Sequence, residues 1–96
     1  MKFYYDATNE HAYGEMPNFD LAKTIPLVPW TQELEDKMAE LANANDWDDP
    51  VMRLMPISNP YGCNSMECAE VASEAEARVL LAEDWAKSWF EYTHDL

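Results

Sequence analysis

The chain has 96 residues, 48% of them apolar, and sets nineteen Asp and Glu against six Lys and Arg, for a net charge of −13 and a pI near 4.2. Such a balance repels nucleic acid and anionic membrane and attracts basic surfaces, which argues against direct DNA or RNA binding and against a polybasic lipid patch. Four Trp, five Tyr and three Phe supply the bulk for one modest core, so residues 1–96 are expected to form a single folded domain.

No apolar run reaches the length of a membrane span. The start, MKFYYDATNEH, has neither a basic leader region nor an apolar one, so the expected location is the cytoplasm, that of the host if a phage encodes the chain. Two cysteines make no disulfide framework, and reduced thiols are the default in that compartment.

Lys2-Phe3-Tyr4-Tyr5 is a short aromatic strand candidate. A turn over Asp6 to Glu10 follows, after which His11 to Glu15 is expected to return as its hairpin partner. Met16-Pro17-Asn18 breaks the pattern, and Phe19 to Lys23 reads as a helical turn. Thr24 to Trp30 is apolar but carries Pro26 and Pro29, which fix φ and remove donors, so it is expected as an extended connector or an edge.

Thr31 is a candidate N-cap for a helix running to about Asn43. Leu34, Met38 and Leu41 recur at i, i+4 and i+7 and form its narrow apolar stripe, widened by Ala42. Glu33 and Lys37 are spaced as an i,i+4 pair, and Glu33, Glu35, Asp36 and Glu40 make the other face acidic. Asn43-Ala44-Asn45 ends the helix, and Asp46-Trp47-Asp48-Asp49 then places three carboxylates around one Trp, closed by Pro50.

Val51 to Ile57 reads as a strand that Pro56 pushes to an edge. Ser58 to Gly62 is dense in turn residues, and Met66 to Ala72 alternates weakly, with Met66, Cys68 and Val71 inward. Ser73 to Tyr92 is the most consistent segment of the chain. Ser73 and Glu76 form a capping box, and Glu74 and Glu76 suit the positive end of the helix dipole. At about 100° per residue, Ala75, Val79, Leu81, Ala82, Trp85, Ala86, Trp89, Phe90 and Tyr92 fall on one half of the wheel. Glu76, Glu83, Asp84, Lys87 and Glu91 fall on the other, with Leu80 in their midst, and Arg78 is expected to snorkel out of the apolar arc. The expected fold is therefore α+β: a small antiparallel sheet of three or four short strands with two amphipathic helices on one face. A mostly helical chain with an N-terminal β-hairpin is the alternative.

The stretch Ala72 to Trp85, a strand feeding Ser-x-x-Glu-Ala and then a Trp, resembles the end of small phage restriction-alleviation proteins. Their zinc-binding cysteine pairs are missing here, so no site residue follows from the likeness.

No motif specifies a chemistry. Cys63 and Cys68 lie far in sequence from His11 and His94 and lack the paired spacing of a structural zinc site. Asp46 to Val51 fails the calcium-loop pattern, because Pro50 and Val51 stand where an oxygen ligand and a glycine are needed. No histidine is placed as base for a thiol or hydroxyl nucleophile, and no phosphate-binding glycine loop is present. The expectation is a non-enzymatic protein without metal or cofactor.

The expected partner is a basic, nucleic-acid-binding protein, without direct contact to nucleic acid or membrane; a homo-oligomer stays open. The candidate partner-binding residues are Asp46, Trp47, Asp48 and Asp49 in the turn, with Glu76, Leu80, Glu83, Asp84 and Glu91 on the last helix. Aromatic side chains dominate binding hot spots, which singles out Trp47. Leu80 reads either as a lone exposed apolar residue or as an anchor ringed by carboxylates. Glu76 and Glu83 are seven residues apart, about 10.5 Å along a helix. Phosphates advance about 3.4 Å each along a DNA strand, so the spacing loosely fits every third one, as in a nucleic-acid mimic. Short length, acidity and an aromatic core resemble, as a class, the phage anti-restriction and anti-CRISPR inhibitors. The rival expectation is a structural or assembly adaptor, of a phage for example, that works through an apolar surface such as Ile25–Trp30.

Overall fold

The computed structural model describes residues 1–9, 15–61 and 67–94, with no account of the side chains of Asn9, Tyr92, Thr93 and His94. Its elements are β1 (Phe3–Asp6), α1 (Leu21–Thr24), β2 (Leu27–Pro29), α2 (Gln32–Asn43), β3 (Leu54–Pro56) and α3 (Glu74–His94), with 3-10 turns at Ala7–Asn9 and Pro50–Arg53. This is the expected small α+β fold, with three strands in the antiparallel order β2-β1-β3.

β1 is central because its sequence is the one strand with three consecutive buried aromatics, Phe3, Tyr4 and Tyr5. Tyr4 faces Val28 on one side and Pro56 on the other; Tyr5 faces Leu27 and Met55. Both edges of β1 are therefore taken by β2 and β3; of the expected hairpin partner His11–Glu15, residues 11–14 lie outside the described residues. The proline-bearing connector is the edge strand β2, as its sequence indicates, and Ile25 before it is fully buried. Val51–Ile57 is strand only from Leu54. The Asp49 carboxylate accepts from the Val51 amide at 3.0 Å and Pro50 opens the turn, which bends the first residues into a 3-10 turn. Among the described residues before Ser73, residues 67–72 form no fourth strand, although Ala69 donates to the Ile57 carbonyl at 2.9 Å and Val71 to that of Met1 at 2.8 Å.

Alternate residues of a strand face opposite sides. Phe3 and Tyr5 join Ile25, Ile57, Val71, Ala77, Leu81 and Trp85 in the core, where Tyr5 meets Trp85 edge-to-face with ring centroids 6.3 Å apart. Tyr4 points to the other side, where α2 brings Glu35 and Met38 over it. The two long helices are thus shared between the faces of the sheet rather than stacked on one.

The expected caps are in place. Thr31 Oγ1 accepts from the Leu34 amide at 3.1 Å. Ser73 Oγ accepts from the Glu76 amide at 3.2 Å, and the Glu76 carboxylate takes the Ala72 amide at 2.7 Å. The buried strip of α3 differs from the expected apolar half. It runs through Ala77, Leu81 and Trp85, while Val79 and Phe90 are 56% and 55% exposed. Arg78 turns inward instead of snorkelling out. Its Nη1 donates to the carbonyls of Ala22 at 3.1 Å and Ile25 at 2.8 Å, and its Nη2 to Glu74 at 2.9 Å. It thereby satisfies the last carbonyls of α1 and ties α1 to α3.

Candidate partner-binding surface

The expected site residues divide into two groups on opposite sides of the sheet. The first lies at the end of α2. Asn45 has φ 57°, the left-handed region. The Asp46 amide donates to the Leu41 carbonyl at 2.9 Å and the Asn45 amide to that of Ala42 at 3.1 Å, which is a Schellman closure of the helix. Three residues on, Asp49 caps the 3-10 turn through Val51. The turn Asp46–Asp49 is thus anchored at both ends, and it presents Trp47 at 61% exposure between the exposed Asp46 and Asp48. Asp49 is half-buried and acts as a cap.

The acidic face of α2 leads into this turn. Glu33, Glu35, Asp36 and Glu40 are all exposed, and no residue of α2 is fully buried. From Thr31 to Asp49 there are seven carboxylates and one base, Lys37. Among the described residues the ion pairs are Met1–Glu70, Lys23–Asp20, Arg78–Glu74 and Lys87–Glu91, and none involves this stretch, including the expected Glu33–Lys37 pair. Gln32 Nε2 donates to Asp36 at 3.0 Å and to Glu35 at 3.4 Å. The result is a strip of carboxylates without an ion pair among the described residues, ending at an exposed indole on a fixed turn.

The second group does not make such a surface. Leu80 is half-buried and packs against the core, so it is no anchor ringed by carboxylates on an outer face. The next turn of α3 rests on the sheet through Leu81 and Trp85, which draws Leu80 inward beside them. Glu76 closes the helix cap, Glu83 and Asp84 are half-buried, and Glu91 lies 3.9 Å from the Lys87 ammonium. Two large apolar residues of α3, Val79 and Phe90, are also exposed. Phe90, with Tyr61 at 71% exposure, rims a cleft of about 540 Å³ that also reaches Phe19, Ala86 and Trp89.

A feature not legible in the sequence lies on the Tyr4 side of the sheet. A cleft of about 530 Å³ runs between α2 and the strands, lined by Lys2, Tyr4, Trp30, Glu35, Met38, Pro56, Glu67 and Cys68. The Lys2 ammonium sits 5.3 Å from the centre of the Trp30 ring. Burial pushes the Tyr4 phenol up to about 12, with the hydrogen-bonded Cys68 and then Glu35 adding to the effect. Burial also raises the Cys68 thiol, although Tyr4 and Lys2 pull the other way; its sulfur lies 3.7 Å from the Phe3 carbonyl. Both groups stay protonated at neutral pH, so the negative charge of the cleft comes from Glu35 and Glu67. The alternation of Phe3, Tyr4 and Tyr5 signals that Tyr4 faces away from the core, but the other walls come from scattered segments.

Cys68 is a free thiol, and Cys63 lies outside the described residues. Among the described residues no three His, Cys, Asp or Glu side chains gather so as to hold a metal ion, and no helix is long and apolar enough to cross a membrane. Comparisons with protein-family models, with curated proteins and with solved structures return no match.

Proposed function

We propose that the protein is a non-enzymatic inhibitor that occupies the basic, nucleic-acid-binding surface of a target protein, acting as a nucleic-acid mimic. The observation that supports this reading most is the α2 strip with its turn: carboxylates that form no ion pair among the described residues, ending at Trp47 on a pre-formed loop. The carboxylates steer encounter with a basic face, and the indole supplies desolvated contact that slows release. Because the turn is held at both ends, little conformational entropy is lost on binding. The class resemblance to phage anti-restriction and anti-CRISPR inhibitors gives the kind of target to try first. The α3 carboxylates lie outside the proposed surface.

The test is capture of a target from a producing or host-cell extract at low salt, with elution by rising salt. Retention should fall steeply over the range where the screening length drops below about 10 Å. Asp46→Lys with Asp48→Lys, and separately Trp47→Ala, should weaken capture at least about tenfold, while Glu15→Lys elsewhere on the surface should not. Salt-insensitive capture that survives both turn variants would remove the reading.

A second reading, an assembly adaptor acting through an apolar surface, is favoured by the exposed Val79 and Phe90 of α3 more than by Ile25–Trp30, whose Ile25 is buried and whose Leu27–Pro29 form the edge strand. A stable oligomer in light scattering, dispersed by Val79→Glu with Phe90→Glu, would support it over the first.

A further inference from the structure

The cleft between α2 and the sheet has the chemistry of a receptor for one cationic side chain. Two of its carboxylates, Glu35 and Glu67, are exposed, and neither is ion-paired among the described residues. The one cation in the lining, Lys2, sits against the Trp30 ring and forms no ion pair among the described residues. One ammonium against two carboxylates leaves the cleft one positive charge short of neutrality, since Tyr4 and Cys68 carry none. An anion is therefore disfavoured. The aromatic wall already accepts a cation, as the position of Lys2 demonstrates. Glu35 belongs both to this cleft and to the acidic strip of α2, so a side chain seated here would come from the same partner that covers the strip.

We propose that the cleft accepts an arginine side chain of the basic partner, its guanidinium bound by Glu35 and Glu67 and stacked on Trp30 in place of the Lys2 ammonium. This rests on the function proposed above and names the partner group that the protein recognises. Arginine fits better than lysine because its planar fork bonds carboxylates bidentately and stacks on an indole, while its stem lies along Met38 and Pro56. Lys2 is exposed and is released to solvent. In the free protein it keeps the Trp30 face covered.

The experiment is an amide NMR titration of the full chain with N-acetyl-arginine amide at low salt, and with the matching citrulline amide, which has the shape without the charge. The expected result is millimolar binding of the arginine probe, with shifts centred on Lys2, Trp30, Glu35 and Cys68, and none from citrulline. Glu35→Gln and Glu67→Gln should each weaken binding about tenfold, the loss of one charge-assisted contact. Lys2→Met, which removes the competing cation, should strengthen it severalfold. Equal shifts from both probes, no saturable shift, or weaker binding by Lys2→Met would each overturn the proposal. The spectrum of each variant reports directly that it is folded. The two readings fail separately. If the probe does not bind while the turn variants still abolish capture of the target, only the arginine site falls. If the probe binds but capture is insensitive to salt, only the inhibitor reading falls.

Discussion

Replacing Arg78 by Met keeps most of the stem and deletes the guanidinium. Three contacts go with it: two to the carbonyls of Ala22 and Ile25, at 3.1 and 2.8 Å, and one to Glu74 at 2.9 Å. A hydrogen bond to a charged group contributes about 1.5–3 kcal/mol, and an exposed i,i+4 ion pair only about 0.3–0.5 kcal/mol. The Arg78 side chain is 22% exposed, so water can reach the carbonyls in part, and the total is discounted to about 2–4 kcal/mol. Against a total stability of about 5–15 kcal/mol that is a large fraction. For a domain of this size it corresponds to a fall in Tm of about 10–25 °C. Urea denaturation of Arg78→Met, Arg78→Lys and Glu74→Gln, followed by circular dichroism, separates the contributions. Lysine keeps the charge but lacks the fork, so it should recover about half of the loss. Glu74→Gln should cost under about 1 kcal/mol. If Arg78→Met lies within about 0.5 kcal/mol of the parent, or Glu74→Gln costs as much as Arg78→Met, the guanidinium does not hold α1 to α3 and the account of that corner is wrong.

Two further outcomes follow from local geometry. Asn45 sits at φ 57°, so Asn45→Ala should cost about 1 kcal/mol in chemical denaturation and, under the proposed function, weaken capture of the target, while Asn45→Gly should keep both; equal losses from the two would count against the pre-formed turn. The Asp6 carboxyl is held below its ordinary 3.8 by the hydroxyl and the backbone amide of Thr8, at 2.7 and 2.9 Å. A depressed folded-state pKa gives stability that is present above the unfolded value and lost as pH falls through the folded one. Thr8→Ala should therefore raise the Asp6 midpoint in a carboxyl NMR titration and reduce stability near neutral pH, with parent and variant converging well below pH 3.8; an unchanged midpoint would refute the assignment.

What the sequence disclosed was what is decided within a few residues. Thr31, Ser73 and Glu76 announce helix starts because a cap is a bond between neighbours, and Pro26 and Pro29 mark an edge because proline cannot donate on either side. Strand partners are decided at long range. Nothing near Phe3–Tyr5 shows that Leu27–Pro29 and Leu54–Pro56 will take both its edges before His11–Glu15 can. The facing of α3 differs from its helical wheel because Trp89, Phe90 and Tyr92 dominate the apolar arc of that wheel. The core touches chiefly the earlier turns, through the smaller Ala77 and Leu81 and the single large Trp85, and Phe90 lies beyond it. Arg78 and Leu80 follow from that rotation. At the candidate surface, the Asp46–Asp49 turn with Trp47 was legible because it is contiguous. The cleft was not, since Lys2, Trp30, Glu35 and Glu67 come from separate segments that only the fold brings together.

The placing of charge argues for use over mere solubility. Seven of the nineteen acids fall between Thr31 and Asp49. Within α2, Asp36 and Glu40 stand at i,i+4 and Glu33 and Asp36 at i,i+3, like-charge spacings that each destabilise a helix by about 0.2–0.5 kcal/mol. The helix offsets little of this through packing, since Leu34, Met38, Leu41 and Ala42 are only half-buried. Solubility would be served as well by acids interspersed with lysines, or by acids on the helix that the core secures. On α3 the opposite holds. Glu76 is engaged with a cap, Glu74 with an arginine and Glu91 with a lysine, and Val79 and Phe90 are exposed. Repulsion is thus concentrated on the helix least able to absorb it, beside a turn closed at both ends and a cleft with charge to spare. A basic surface covering it would relieve that concentration, and the proposed binding would draw its favourable electrostatics from that relief.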